Sequence, residues 1–279
     1  MQAQMDGKKA LVVGAGQPAH ERLGNGRAIA LLLASEGAEV CAVDREQDRA
    51  EETVEMIRAA GGTAHPIVAD VADPDDCVRL VAEAHASMGR IDALVNNVGT
   101  SQRDADPLTL DLEAWQTIFD VNLRGTWLTS RAVVPIMRQQ GGGSITNTST
   151  VGSRTGGGSL FAYSVSKAGV NALTHFFAVS YAQDRIRCNA VLPAFVVTPH
   201  SLEGLARVGF GSDAEAILER SVASCPLGFL GDANDVASAT LWLASDQSRF
   251  TTGLEVPVDG GVLSIVGQYQ RPQPPTTEG

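Results

Sequence analysis

Tyr163 and Lys167 are the residues of this sequence whose types and spacing most directly suggest chemistry. They stand four positions apart at the start of a segment with helical character, so both side chains lie on one face of a helix. A phenol titrates at about pH 10 and is a poor base at neutral pH, but a nearby ammonium favours the phenolate and lowers its pKa. The other two lysines, Lys8 and Lys9, are adjacent near the N-terminus. The pair therefore predicts proton transfer to and from a substrate oxygen.

A glycine-rich turn lies between the first predicted strand and the first predicted helix. Its glycines would let a dinucleotide pyrophosphate approach the backbone, and the helix N-terminus supplies N–H donors and a positive dipole. The second predicted strand ends at Asp44, whose carboxylate can accept both ribose hydroxyls of an adenosine and would repel a 2′-phosphate. This favours NAD over NADP, although Arg45 could pair with a 2′-phosphate. The residues of the turn are Gly14, Gly16, Gly24, Asn25 and Gly26.

Short apolar, β-branched segments alternate with helical patterns along the chain. Repeated β–α–β units form parallel sheets that helices cover on both faces. The sequence therefore predicts an α/β fold, a Rossmann-type doubly wound parallel seven-stranded sheet with helices on both faces. No linker divides the chain, so we expect a single domain over 1–279 with flexible ends at about 1–7 and 268–279. The predicted strands are 9–13, 39–43, 65–69, 91–95, 143–147, 186–192 and 253–258, and the predicted helices are 27–36, 48–60, 74–88, 112–139, 163–183 and 233–244.

Composition and charge limit the partners of this protein. The chain has 21 Lys and Arg against 32 Asp and Glu, a net charge of −11, and an acidic surface repels nucleic acid and anionic lipid. No apolar run is long enough to span a bilayer, and the first residues lack the apolar core of a signal peptide. We therefore expect a cytoplasmic protein with no nucleic-acid or membrane partner. The four cysteines are widely spaced without a CxxC pair, so no metal site is expected.

The ordered set of motifs resembles the short-chain dehydrogenase/reductase family, in its single-domain Tyr-x-x-x-Lys branch. Each of the further motifs occurs in many unrelated proteins, but their order from about Gly7 to Val262 is specific to this family. Besides the glycine turn and the Tyr–Lys pair, the matches are Asp70-Val71 after the third strand, Asn96-Asn97-Val98-Gly99 after the fourth, Val121-Asn122-Leu123 in the long helix, Pro193 to Thr198 after the sixth strand, Pro226-Leu-Gly228 and Val258-Asp-Gly-Gly261.

The resemblance implies catalytic roles for four residues. Tyr163 is the general acid and base, and Lys167 lowers its pKa and hydrogen-bonds the nicotinamide ribose. Thr150 stands at the position of the family's Ser and would orient the substrate oxygen. The neighbouring Ser149 should point to the opposite side of an extended segment. Asn122 matches the helix asparagine that holds a proton-relay water.

The resemblance also extends the expected cofactor site, and the sequence departs from the family pattern within it. Val13 replaces a Thr whose hydroxyl ties the glycine turn to the Asn-Asn element, and Ala194 replaces a Gly. The glycine loop is longer than in relatives; its extra region, 17–23, either covers the pyrophosphate or bulges into solvent, and we favour the bulge. The added cofactor contacts are Asp70, Val71, Asn97, Gly99, Tyr163, Lys167, Pro193, Val196 and Thr198.

These observations predict reversible hydride transfer between NAD(H) and a secondary alcohol/ketone pair. The expected pocket walls are Ser101, Gln102 and the segments 151–160 and 195–210, which includes His200 as a further acid/base candidate. Because these segments carry little positive charge, we expect a neutral, fairly apolar small molecule. One alternative is an NADPH-dependent 3-ketoacyl or polyketide-type ketoreductase. An alternative of another class is a non-catalytic NAD-binding sensor or scaffold.

A homotetramer, or a homodimer, is implied by the same resemblance. In similar proteins the helices that correspond to 112–139 and 163–183 form the main subunit interface. Apolar side chains on these segments could supply that surface or could pack in the core. They are Trp115, Trp127, Phe176 and Phe177.

Overall fold

A computed structural model describes residues 3–156, 160–199, 201 and 214–266. The strands are β1 (Lys9–Val13), β2 (Glu39–Asp44), β3 (Thr63–Val68), β4 (Ala93–Asn96), β5 (Gly143–Thr148), β6 (Ile186–Pro193) and β7 (Glu255–Val258). The α-helices are α1 (Asn25–Ser35), α2 (Gln47–Ala59), α3 (Pro74–Met88), α4 (Leu112–Phe119), α5 (Gly125–Gln139), α6 (Phe161–Ser180), α7 (Ala214–Ser224) and α8 (Ala233–Ala244).

The seven strands form one parallel sheet in the order β3-β2-β1-β4-β5-β6-β7. The chain builds the sheet outward from β1 in one direction and then crosses over to β4 and continues in the other. Ligands of such sheets bind at the carboxyl ends of the strands, where this change of direction leaves a crevice. The predicted fold class is therefore confirmed, and the fold locates the expected site beside β1 and β4.

Apolar layers cover both faces of the sheet. Along β1, Ala10 and Val12 belong to a core cluster with α1, α2 and α8, whereas Leu11 and Val13 belong to a cluster with α3, α5 and α6. Successive side chains of a strand point to opposite faces, so an uninterrupted apolar segment is what a strand buried on both faces requires.

The prediction of one long helix over 112–139 is wrong in one respect. The chain forms a π-helical turn at Asp120–Arg124 between α4 and α5. Helical periodicity alone does not locate such a turn, because one wide turn leaves the apolar pattern on either side intact. Single π turns occur frequently at functional sites, and this one carries Asn122. The other predicted boundaries differ from the observed ones by a few residues.

None of the helices in the described ranges is long and apolar enough to cross a bilayer. Cys41, Cys77, Cys188 and Cys225 are buried and unbridged. Within the same ranges, no group of three or more His, Cys, Asp or Glu side chains is placed to hold a metal ion.

Candidate active site

A cavity of about 420 Å³ lies along the carboxyl ends of the strands. Every residue of the expected cofactor set lines it, from the glycine turn to the segment after β6. Thr150, Tyr163 and Lys167 line the same cavity, and so do Gln102 and Phe195 on the expected substrate side. Ser101 and the described part of 151–160 do not line it, and His200 and 202–210 lie outside the described residues.

The glycine turn brings α1 against β1 more closely than any side chain would allow. A Cβ on Gly26 would lie 1.8 Å from the carbonyl oxygen of Gly14 and 2.6 Å from Asn97 Nδ2. Gly14 has φ +82°, and its Cβ would lie 2.8 Å from Val98 Cγ2. These two glycines are therefore required by contact and by backbone conformation, as a turn that receives a pyrophosphate requires.

Asn97 keeps the glycine turn tied to the end of β4 despite the departure at Val13. Its backbone N–H donates to Val13 O at 2.9 Å, and its Nδ2 donates to Gly14 O at 3.1 Å. Asn97 Oδ1 also accepts from Thr148 Oγ1 at 3.3 Å. The connection that the family makes with a Thr hydroxyl is thus made here from the asparagine.

The longer glycine loop is held at its base by the side chain of Gln17. Residues 18–22 are exposed, whereas Gln17 is 5% exposed. Gln17 Nε2 donates to Arg22 O at 3.0 Å, and Gln17 Oε1 accepts from Gly24 N at 2.5 Å. Gln17 and Pro18 line the cavity. The exposed residues agree with a bulge, whereas Gln17 and Pro18 keep the base of the loop on the cavity wall.

Acidic and basic side chains meet at the expected adenosine end. Asp44 lies next to Gly16, where a Cβ would approach Asp44 Oδ2 to 2.6 Å, and its Oδ1 accepts from Glu46 N at 3.1 Å. Arg45 is exposed and 3.6 Å from Glu46. Arg49, which sequence analysis did not single out, lines the cavity as well. One carboxylate and two guanidinium groups can thus contact a ribose or its phosphate.

Ser149 and Thr150 both line the cavity, and their hydroxyls have different hydrogen-bond partners. Ser149 is buried and donates to Lys167 O at 3.2 Å and to Ser153 Oγ at 3.3 Å. Thr150 Oγ1 makes only long contacts, with Pro193 O at 3.4 Å and Gly152 N at 3.3 Å. Of the two hydroxyls, that of Thr150 is the one free to bond a substrate oxygen.

Lys167 is 2% exposed and bonds to the backbone around the cavity. Its Nζ donates to Thr148 O at 2.7 Å and to Val98 O at 3.2 Å and lies 5.9 Å from the centroid of the Tyr163 ring. Burial lowers the pKa of Lys167 to about 8 and raises the pKa of Tyr163 to about 12. In both groups the cause of the shift is desolvation, which disfavours the charged form.

Asn122 lies outside the cavity wall and its side chain is fully buried. Its Oδ1 accepts from Thr100 N at 2.8 Å, and its Nδ2 donates to Thr100 O and Ser166 Oγ, each at 3.0 Å. The side chain thus joins the π turn to the loop after β4 and to α6. A contact of Asn122 with a relay water would have to use its main-chain carbonyl, which also accepts from Thr126 Oγ1 at 2.8 Å.

Asp104 is a site-positioning residue that sequence analysis missed. Its Oδ2 accepts from Tyr163 N at 2.9 Å, and its Oδ1 accepts from Ala162 N at 3.0 Å and from Ala105 N at 2.9 Å. The residue before α6, Leu160, has no polar side chain to cap the helix. Because the cap comes from a loop far away along the chain, inspection of the residues flanking the helix could not reveal it.

The four aromatic side chains expected at a subunit interface separate into two groups. Trp127 is 43% and Phe176 is 76% exposed, whereas Phe177 is buried and contacts the Tyr181 ring at 5.3 Å. Trp115 stacks on Phe119 at 4.2 Å and contacts Phe161 at 5.6 Å. Packing within the protein therefore accounts for Trp115 and Phe177.

Known proteins match this chain over most of its length. The family model described as Enoyl-(Acyl carrier protein) reductase matches residues 19–263. The chain is 36% identical over 260 residues to the 3-oxoacyl-(acyl-carrier-protein) reductase FabG of Thermotoga maritima, which covers 93% of this chain and 99% of that protein. It is 33% identical over 241 residues to the 7alpha-hydroxysteroid dehydrogenase of Bacteroides fragilis, over 86% of this chain and 90% of that protein.

A solved structure agrees with these relatives. The crystal structure of a gluconate 5-dehydrogenase from Burkholderia cenocepacia, in complex with NADP and tartrate, has a TM-score of 0.84 and 30% identity. The match covers 95% of this chain and 98% of that one. The fold and the relatives together define an oxidoreductase that uses a nicotinamide cofactor. The chain belongs to the short-chain dehydrogenase/reductase family, which confirms the resemblance found in the sequence.

Proposed function

We propose that this protein transfers a hydride between NAD(H) and a secondary alcohol/ketone pair whose carbon skeleton is neutral and fairly apolar. The observation that carries the proposal is that Thr150, Tyr163 and Lys167 line the same cavity as the glycine turn. The site fits a dinucleotide, because one cavity runs from the glycine turn past Asp44 to Tyr163, and Gly14 and Gly26 let α1 begin close against β1 and β4. The nicotinamide ring, when bound, supplies the hydride acceptor or donor.

The protein's own residues supply orientation and proton transfer. The hydroxyls of Thr150 and Tyr163 would hold the substrate oxygen between them. During oxidation the phenolate oxygen of Tyr163 would accept the proton of the alcohol, and during reduction the phenol would donate its proton to the ketone oxygen. Because Lys167 is held by two backbone carbonyls, its ammonium is fixed near the phenol, where it would stabilise the phenolate. The positive charge of NAD⁺ would add to this effect in the oxidation direction.

Asp44 supports NAD as the preferred cofactor. Its carboxylate lies beside Gly16 at the expected adenosine end of the cavity, where it would accept ribose hydroxyls and repel a 2′-phosphate. The second candidate is an NADPH-dependent ketoreductase. Arg49 on the cavity wall and Arg45 next to Asp44 favour it, and so do the reductase FabG and the NADP-bound dehydrogenase among the relatives.

A paired measurement of binding and turnover tests the proposal. Dissociation constants for NAD and NADP would be measured by calorimetry, and reduced-nicotinamide absorbance would be followed with cyclic, aromatic and aliphatic secondary alcohols. We expect tighter binding of NAD and turnover of at least one apolar alcohol. Preference for NADP with turnover of acyl-type ketones would favour the ketoreductase instead. NAD binding without turnover of any alcohol or ketone would favour a sensor or scaffold.

We also propose that the protein is a homotetramer or a homodimer. The exposed rings of Trp127 and Phe176 lie on helices α5 and α6 and support this proposal. Light scattering on the purified protein would show a mass of two or four chains, and a monomer would contradict it.

A further inference from the structure

We propose that Gln17 is a positioning residue for the dinucleotide, a neutral side chain that caps α1 and leaves the helix able to receive a pyrophosphate. This inference rests on the proposed dinucleotide binding and goes beyond it, because it assigns a role to the enlarged glycine loop. The chemical class of ligand concerned is any nucleotide with a diphosphate at this turn.

The Gln17 amide closes the enlarged loop at its base. Its Nε2 donates to Arg22 O at 3.0 Å and its Oε1 accepts from Gly24 N at 2.5 Å, so both ends of the amide bond to the far side of the loop. Gln17 itself is buried, whereas the residues 18–22 that the amide encloses are exposed. A loop of this length would otherwise leave Gly24 and the start of α1 free to move, because longer loops restrain their ends less.

The start of α1 has no cap of its own. Gly24 precedes the helix and carries no side chain, and the first N–H groups of any α-helix have no partner within the helix. Gln17 bonds the N–H of Gly24 and makes no bond to the N–H groups of Asn25 and Gly26, the next two residues, which both line the cavity. These are the donors that an anion at a helix N-terminus uses.

The neutral charge of the cap matters because the expected ligand is anionic. Carboxylates are favoured beside helix N-termini, yet a carboxylate at position 17 would lie on the cavity wall next to the incoming pyrophosphate. An amide can both accept from Gly24 N and donate to Arg22 O, whereas an ionised carboxylate can only accept. Gln17 therefore combines loop closure with the absence of a competing negative charge.

Asn25 provides a second observation at the same turn. Its Oδ1 is buried and, among the described residues, has no hydrogen-bond partner. Buried polar atoms are nearly always bonded, and Asn25 lines the cavity. Because this oxygen is closed off from the empty cavity, a ligand hydroxyl would reach it only after the Asn25 side chain turns.

Two substitutions separate the charge of the cap from its geometry. Gln17→Glu is nearly isosteric but loses the donor and adds a negative charge, and Gln17→Ala removes both bonds without adding charge. Ala19→Glu is the matched control, because it adds the same charge at an exposed position of the same loop. Calorimetry would compare NAD, ADP-ribose and adenosine at low and at high salt, with the melting temperature of each variant recorded without ligand.

The charge mechanism predicts an effect that depends on the phosphates of the ligand. We expect Gln17→Glu to raise the Kd of NAD and ADP-ribose about tenfold or more, less so at high salt, and to change adenosine binding about twofold or less. Gln17→Ala should raise the Kd of both diphosphates about threefold, and Ala19→Glu should leave it unchanged. Unchanged NAD binding in Gln17→Glu, or an equal loss of affinity for adenosine, would overturn this inference and leave the proposed function standing. A wild-type protein that binds neither NAD nor NADP would overturn the proposed function and this inference with it.

Discussion

Helices α1 and α6 both begin at the cavity, and they are capped in opposite ways. Neither helix follows a residue with a capping side chain, since Gly24 precedes α1 and Leu160 precedes α6. Each receives its cap from a loop elsewhere in the chain. The cap of α1 is the neutral amide of Gln17, and the cap of α6 is the carboxylate of Asp104.

The difference corresponds to what each helix must hold. The start of α1 faces the expected pyrophosphate, so a carboxylate there would repel the ligand. The start of α6 carries Tyr163 and faces a substrate that we expect to be neutral, so Asp104 can complement the helix dipole. By bonding Ala162 N and Tyr163 N, Asp104 also uses donors that could otherwise attract an anion. We therefore distinguish a binding side at α1 from a chemical side at α6.

Tyr163→Phe should give the largest effect and should act on the chemical side alone. Loss of the phenol oxygen removes the general acid and base, so kcat should fall by about 10² to 10⁴. The Kd of NAD should change about twofold or less, because the ring and its packing remain. Stopped-flow or steady-state absorbance gives kcat, and calorimetry gives the Kd. A variant that keeps wild-type kcat would refute the role of Tyr163.

Gly26→Ala should act on the binding side. The new Cβ would lie 1.8 Å from Gly14 O, so α1 must move away from β1. We expect the free energy of unfolding to fall by about 1–3 kcal/mol and NAD affinity to fall more than tenfold. Denaturant titration and calorimetry measure the two effects. Gly156→Ala is the control, because a Cβ at Gly156 meets nothing within 4 Å; equal losses in both variants would contradict the close approach.

Asp104→Ala should produce a smaller loss on the chemical side. Removal of a helix cap costs about 0.5–2 kcal/mol of unfolding free energy, and freeing the backbone of Tyr163 should lower kcat several-fold. The Kd of NAD should remain unchanged. Asp106→Asn is the control, since Asp106 is exposed and, within the described ranges, its carboxylate bonds only to Leu108 and Thr109 of its own turn. An Asp104 variant that weakens NAD binding without lowering kcat would reverse the assignment of sides.

The pH dependence of stability should show the smallest effect. Burial lowers the pKa of Lys167 from 10.5 to about 8, so the folded state binds fewer protons than the unfolded state between these values. The contribution of Lys167 to the free energy of unfolding therefore rises with pH through that range. Below pH 8 the buried side chain is charged in the folded state, and the folded state is destabilised by the full cost of burying an ammonium. The unfolding free energy of wild type minus that of Lys167→Met should increase from pH 7 to pH 9.5. A flat or falling difference would show that Lys167 is not desolvated.

Elements and motifs could be predicted from the sequence because they depend on local patterns. The apolar segment at β1, the ends of α3 and the glycine turn all follow from residues that are neighbours along the chain. The Gln17 and Asp104 caps could not be predicted, because each depends on how a loop folds back on a helix. The burial of Lys167 could not be predicted either, since the spacing places it near Tyr163 but does not show that its ammonium is closed off from solvent.

The π turn at Asp120–Arg124 has a consequence for the helical phase of its two flanking segments. Each residue of an α-helix rotates the chain by about 100°, so an added residue in a regular helix would turn α4 by that angle relative to α5. The wider π turn contains the added residue without rotating α4 relative to α5. It thereby keeps α4 facing α6 and α5 facing α3. A one-residue deletion within the turn should thus restore a regular helix while both segments keep their present faces.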